Sequence, residues 1–149
     1  VELFATENAL ARYEDLFDRV ESARIDVQLV SEPVLKALTD TTTPQGIVAV
    51  CRQLHVTLDD IIAAKPQLVA LLANIRDPGN AGTVLRAADA SGADAVIFSA
   101  NSVDVYNPKV VRSTTGSLFH LPFAAHVLPH VVHRLADENL HQQSGLPPQ

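Results

Sequence analysis

The chain has 149 residues, is 47% hydrophobic and carries a formal net charge of −6. That length can bury one core or two small ones, and the acidic balance departs from the clustered basic charge of a general nucleic-acid binder. No apolar run is long enough to span a bilayer, so no membrane partner is expected.

In chain order, residues 1 to about 53 read as a small α/β/α unit. The pattern gives a strand at Glu2 to Ala5, then a helix at Ala9 to Glu21 with Leu10, Tyr13, Leu16, Phe17 and Val20 on one face. A strand at Asp26 to Val30 follows, then a short helix opened by Ser31 and Pro33, and a strand at Gly46 to Arg52. The single cysteine, Cys51, excludes an internal disulfide. It sits in the strand-like run IVAVCR, which predicts a buried thiol in a reducing, cytoplasmic compartment. Residues 54–66 read as a linker with one short helix.

The stretch NIRDPGNAGTVLRAADASGADAVIFS, Asn74 to Ser99, carries the most information. Leu68 to Ile75 is a nearly unbroken apolar run, the signature of a strand covered on both faces. Arg76 to Asn80 is a turn. Val84, Leu85 and Ala88 then recur at helical spacing, Gly92 supplies a left-handed terminus, and Ala95 to Phe98 reads as the next buried strand. In such a βαβ unit the loop after the strand faces a ligand crevice, and Asn74, Asn80 and Arg86 lie in that loop or within two turns of it. Further on, Asn107 and Pro108 read as an N-cap and first-turn proline opening a helix that carries Lys109 and Arg112. The last residues, 142–149, are polar and Pro-rich and are expected to fray.

Other chemistries leave weaker traces. Gly79 and Gly82 do not complete a three-glycine dinucleotide fingerprint, and no lysine follows a glycine loop as in a P-loop. His126, His130 and His133 are interrupted by Pro129, and no Cys pair accompanies them, so no metal site is expected. No nucleophile elbow is present.

Asn74, Pro78, Asn80, Gly82 and Arg86 resemble the first motif of the SpoU (TrmH-type) RNA ribose 2′-O-methyltransferases of the SPOUT superfamily. The block VDVYNPKVVRSTTGSLFHLPF, Val103 to Phe123, resembles their second motif through Arg112, Ser113, Thr114, Thr115 and Gly116, with Thr114 where the family usually has Ser. The resemblance implies a substrate-binding domain over residues 1–53, similar to an RNA-binding ribosomal protein, and over 67–149 the first part of a Rossmann-like, parallel-sheet α/β-knot methyltransferase domain. The loop DTTTPQG, ending at Gly46, would close the substrate domain; read locally it is equally a solvated turn. The third family motif is not found in the last third, so the main cofactor loops are absent from the 149 residues, which read as incomplete for such an enzyme. The lack of an initiator Met points to upstream sequence or processing.

What this implies chemically is methyl transfer from S-adenosylmethionine to a ribose 2′-hydroxyl of RNA, with ribosomal RNA placed ahead of tRNA and a homodimer as the complete protein. Arg86 and Asn80 would be catalytic, Arg86 by positioning, since a guanidinium stays protonated far above pH 7. Asn74 would contact the cofactor; Arg76, Lys109, Arg112, Ser113 and Thr114 would contact RNA. Read locally, Asn74 and Asn80 could satisfy loop backbone, Arg86 could face solvent, and Ser113, Thr114, Thr115 and Ser117 could cap a helix end. Two other classes stay open: an RNA-binding or assembly module without methyl transfer, and a Rossmann-like nucleotide-binding domain.

Overall fold

The structure is a computed structural model in which residues 1–128 and 130–131 are described. The chain divides into two compact units, Val1–Gln53 and the part from Leu54 onward. Each is a three-stranded sheet with its own helices.

In the first unit β1 (Glu2–Ala5) is central, parallel to β2 (Val27–Leu29) and antiparallel to β3 (Ile47–Val50). The helix expected over Ala9 to Glu21 is two helices, α1 (Glu7–Arg12) and α2 (Glu14–Ser22), with α3 (Glu32–Ala37) following β2. The break falls at Tyr13, whose backbone leaves the helical region (φ −122°, ψ 46°) and closes α1 by donating its N–H to the Ala9 carbonyl. Glu14 and Asp15 then place two carboxylates in the first turn of α2, where the helix dipole favours them. The apolar stripe is therefore split between helices, and Leu16 stays 41% exposed.

Cys51 corrects the expected buried thiol. The ladder between β1 and β3 ends at the pair Glu2 and Val50, so β3 stops before the cysteine, which is exposed.

In the second unit β4 (Val69–Leu72), β5 (Ala95–Ser99) and β6 (Phe123–Val127) lie side by side in that order, all parallel. Parallel neighbours need long crossovers. The first is α5 (Pro78–Ala90); the second is α6 (Pro108–Ser113) and a 3₁₀ turn (Ser117–Phe119). Alternation along β5 sends Val96 and Phe98 to one face, where they meet Ala81, Leu85 and Ala88 of α5, Val110 of α6 and Leu118. Ala95 and Ile97 point the other way, against Ile61 of α4 (Leu58–Ala63). The central strand β5 is thus covered on both faces, whereas β4, expected to be covered likewise, lies at the sheet edge and leaves Leu71 47% exposed. Burying Leu85 completely contributes roughly 1.5–3 kcal/mol.

Two local devices set the ends of these elements. α5 closes with paired bonds, Ala93 N–H to Ala88 O and Gly92 N–H to Asp89 O, with Gly92 left-handed at φ 71°. In β6, the register with β5 shifts between Ile97 and Ser99, and His126 takes a positive φ of 60°. The extra residue resets the alternation, so Ala124 and Val127 share one face. No helix among the described residues is long and apolar enough to cross a membrane.

Candidate functional site

At the carboxyl end of β4 the chain turns abruptly. Asn74 has φ 53°, a left-handed conformation that Asn tolerates better than most residues. Its N–H donates to Ser99 Oγ at 2.8 Å, Ser99 and Ser102 hydroxyls lie 3.1 Å apart, and Ser102 Oγ donates to the Leu72 carbonyl at 3.2 Å. Val103 N–H adds a bond to the Ile75 carbonyl at 2.7 Å. The loops after β4 and β5 are therefore tied together. The Asn74 side chain is left exposed, without a hydrogen-bond partner among the described residues.

The next residues build the start of α5. Asp77 is the N-cap, its carboxylate accepting the Asn80 N–H at 2.7 Å, and Pro78 occupies the first turn where a missing N–H costs nothing. The local expectation that Asn80 itself caps the helix is thus replaced: Asp77 takes that part, and the Asn80 amide is exposed. Arg86 is the ninth residue of α5. Six residues separate it from Asn80, about 9 Å along the axis and about 120° around it, so the two do not share a helix face. Helical side chains lean toward the N-terminus, which gives the long Arg86 side chain reach back along α5. It is exposed and lines a surface cavity of about 560 Å³ with Thr83, Ala87, Asp89, Ala90 and Ser117. Across it, Asp89 pairs with His120 at 3.0 Å. The Ser117 hydroxyl and, second, the His120 ring hold the Asp89 carboxyl below its usual range.

The second motif packs directly on the first. Asn107 caps α6 by accepting the Lys109 N–H at 2.9 Å, with Pro108 in the first turn. Ser113 Oγ donates to the carbonyls of Val110 (2.8 Å) and Pro78 (3.1 Å), and the backbone of Ser113 lies against Gly82. A Cβ on Gly82 would stand 2.7 Å from the Ser113 Cβ, so only glycine permits this approach.

This packing corrects two of the expected RNA contacts. Thr114 is completely buried, and its hydroxyl donates to the Val111 carbonyl at 2.7 Å, so it faces the interior. Ser113 is half-buried with its proton committed to backbone carbonyls; it joins the two motif blocks rather than presenting a hydroxyl outward. Arg76, Lys109 and Arg112 are exposed, and none of them, nor Arg86, forms a salt bridge among the described residues.

Sequence reasoning missed Ser99, Ser102 and Tyr106. Two serines near a strand end are unremarkable without knowing which loop they face. Tyr106 OH accepts the N–H groups of Leu54 (2.7 Å) and His55 (2.9 Å), strapping the start of the second unit to its sheet, a pairing 52 residues apart with no local signal. A cavity of about 330 Å³ lined by Asp60, Ile61, Lys65, Asp94 and Pro122 sits at the amino-terminal end of the strands. Parallel α/β sheets bind ligands at the opposite end, which favours the Asn74 loop as the site. Of the three histidines, His126 and His130 are exposed and His133 lies outside the described residues.

Comparison with known proteins bears directly on this arrangement. Residues 67–144 match the SpoU rRNA Methylase family, and residues 1–57 match the RNA 2′-O ribose methyltransferase substrate binding family. The chain is 40% identical over 116 residues, 78% of its length, to the 23S rRNA (guanosine(2553)-2′-O)-methyltransferase RlmP of Bacillus subtilis (strain 168), and covers 45% of that protein. Among solved structures it is similar to the SpoU methyltransferase AviRb from Streptomyces viridochromogenes in complex with the cofactor AdoMet, with a TM-score of 0.75 and 28% identity. That match covers 98% of this chain and 53% of AviRb. The AdoMet-bound rRNA methyltransferase from Sinorhizobium meliloti gives a TM-score of 0.71 at 28% identity, over 89% of this chain and 49% of the other. The chain therefore spans about half the length of the relatives it matches. With its two motif blocks packed through Gly82 and Ser113 on a parallel sheet, the chain belongs to the SpoU rRNA methylase family.

Proposed function

We propose that the protein transfers a methyl group from S-adenosylmethionine to a ribose 2′-hydroxyl of ribosomal RNA, in the cytoplasm and as a homodimer. The observation that carries this reading is the exposed pair of amides, Asn74 and Asn80, whose side chains have no hydrogen-bond partner among the described residues, after the carboxyl end of a parallel strand in a chain of this family. An amide offers both donors and an acceptor, which suits a cofactor that carries an adenosyl ring, hydroxyls and an amino acid group. Asn74 is the candidate for that contact and Asn80 for the substrate side.

When bound, S-adenosylmethionine supplies a methyl group already activated on a positively charged sulfur. The chain's own residues then have to align the 2′-oxygen with that carbon and favour loss of the hydroxyl proton. Arg86 cannot serve as the base, because guanidinium remains protonated; it is assigned to holding the ribose oxygen and an adjoining phosphate, where its charge favours the developing alkoxide. Arg76, Lys109 and Arg112 are assigned to phosphates. Their neutralisation of the backbone makes binding salt-dependent despite the net negative charge.

The full gene product incubated with methyl-labelled S-adenosylmethionine and ribosomal RNA should yield a 2′-O-methylated nucleotide, read by mass spectrometry of the digested RNA. Arg86→Ala should lower kcat/KM by about 10²-fold or more with unchanged circular dichroism, and Arg86→Lys should also be impaired, since a point charge does not replace the planar fork. Methylation of neither ribosomal RNA nor tRNA would overturn the reading. Near-parental rates in both Arg86 variants would remove that residue from the reaction.

A further inference from the structure

We propose, resting on the methyltransferase reading above, that Ser99 and Ser102 are positioning residues that hold Asn74 in its left-handed conformation for cofactor binding. The direction of every proton in their hydrogen-bond chain follows from its two ends. The Asn74 N–H can only donate, so Ser99 Oγ accepts it at 2.8 Å; the Leu72 carbonyl can only accept, so Ser102 donates to it at 3.2 Å. The 3.1 Å contact between the hydroxyls is then a bond from Ser99 to Ser102. Each hydroxyl has one proton, and each proton is committed. The pair therefore has no proton to offer a ligand, and neither oxygen is set up as a nucleophile or base.

The chain spends this buried polar relay on one loop. Ser99 is 3% exposed, and a change from serine to alanine removes one hydroxyl oxygen and leaves the Cβ, so replacing either removes little packing. The relay closes a ring around the β4 terminus: it starts at the Asn74 amide and returns to the carbonyl of Leu72, two residues earlier. A residue at φ 53° is readily released to extended backbone when its N–H loses its acceptor. Release would swing the Asn74 side chain away from the place where the loop now presents it. The Val103 to Ile75 bond, one residue further on, limits that change to Asn74 and spares the start of α5.

The test uses the full gene product with Ser99→Ala and Ser102→Ala. Amide exchange at Asn74, read by NMR, should accelerate about tenfold or more in Ser99→Ala and less in Ser102→Ala. The KM for S-adenosylmethionine should rise about tenfold in Ser99→Ala and severalfold in Ser102→Ala, while kcat at saturating cofactor and the KM for RNA stay within about twofold. A merely structural role would lower the melting temperature without this split between the two substrates. Faster exchange at Asn74 with an unchanged cofactor KM overturns the proposal, as does unchanged exchange in both variants. If Ser99→Ala does not fold, Ser102→Ala decides alone by the same criteria. A parental protein that transfers no methyl group defeats the methyltransferase reading itself and the proposal with it, an outcome distinguished by failing before any variant is compared.

Discussion

The two units use the same ingredients, three short strands and a few helices, to opposite effect. In the second, β5 is buried at every position from Ala95 to Ser99, and apolar clusters fill both faces of the sheet. In the first, burial is confined to a few residues, among them Leu3, Ala5, Ala9 and Leu35, while Leu29 and Val50 at the sheet's two edge strands are 57% and 54% exposed. The second unit holds the loop after β4 in one geometry, on a sheet with apolar clusters on both of its faces. The first unit leaves apolar side chains such as Val34 and Leu38 exposed as well, while the Thr39 and Thr41 hydroxyls are buried but unpartnered among the described residues. Dense packing and exposed apolar surface are thus distributed between two small units instead of between core and loops of one.

The largest effect separating them should come from side-chain truncation. Phe123 is completely buried, edge-on to Phe98 at 6.3 Å between ring centroids and 5.9 Å from Tyr106. Phe123→Ala should cost about 3–5 kcal/mol, and Leu29→Ala less than about 1 kcal/mol. Hydrogen-exchange mass spectrometry on peptides from each unit measures both, because it reports local opening where one melting curve would merge the units. A cost for Leu29→Ala as large as for Phe123→Ala would break the contrast and mean that the first sheet is covered in solution.

The same difference explains what the sequence made legible. β5 stands out because burial on both faces leaves an uninterrupted apolar run, and α5 because Asp77, Pro78 and Gly92 mark its ends with capping chemistry. The break at Tyr13 was hidden, since the 3.6-residue stripe continues through it; what ends α1 is a backbone angle with no compositional mark. Cys51 was misjudged because strand propensity extends beyond the point where its partner strand ends. Asn74, Asn80 and Arg86, the candidate site residues, stand out in the sequence as polar residues in an apolar context, and all three are exposed. Thr114 misled because its RNA role rests on the motif resemblance, which carries no information on burial, whereas its side chain is buried and its hydroxyl donates to the Val111 carbonyl.

The close approach of α5 and α6 can be tested by filling it. Gly82→Ala should destabilise the second unit by about 1–3 kcal/mol, since the new methyl meets both the Cβ and the backbone of Ser113. Ser113→Gly removes one of those obstacles, so the double variant should be more stable than the sum of the two single effects predicts. Additive costs in denaturant unfolding would show that α5 and α6 are not in contact there. First-unit peptides should keep their parental exchange throughout, which makes this a sharper form of the comparison than truncation.

The smallest effect concerns acid. Asp94 Oδ2 accepts the N–H groups of Gln67 (2.7 Å) and Leu68 (2.9 Å), fastening the chain just before β4, and its own N–H donates to the Leu68 carbonyl at 2.8 Å. The bond from Leu68 and then that from Gln67 hold the Asp94 carboxyl below its ordinary value of 3.8. A carboxyl whose value is depressed on folding contributes stability that is fully present above the unfolded-state value and is lost as pH falls through the lower folded-state value. Asp94→Asn keeps an acceptor oxygen and removes the charge. The parent should therefore be more stable than Asp94→Asn at neutral pH, with the gap closing as pH drops below about 4. Because the group is solvated, the gap should be small, and exchange at the amides of Gln67 and Leu68 is the measurement that resolves it. A gap that stays constant from pH 7 to pH 3 would mean that the carboxylate charge plays no part in anchoring β4, leaving the sheet's packing alone to distinguish the second unit from the first.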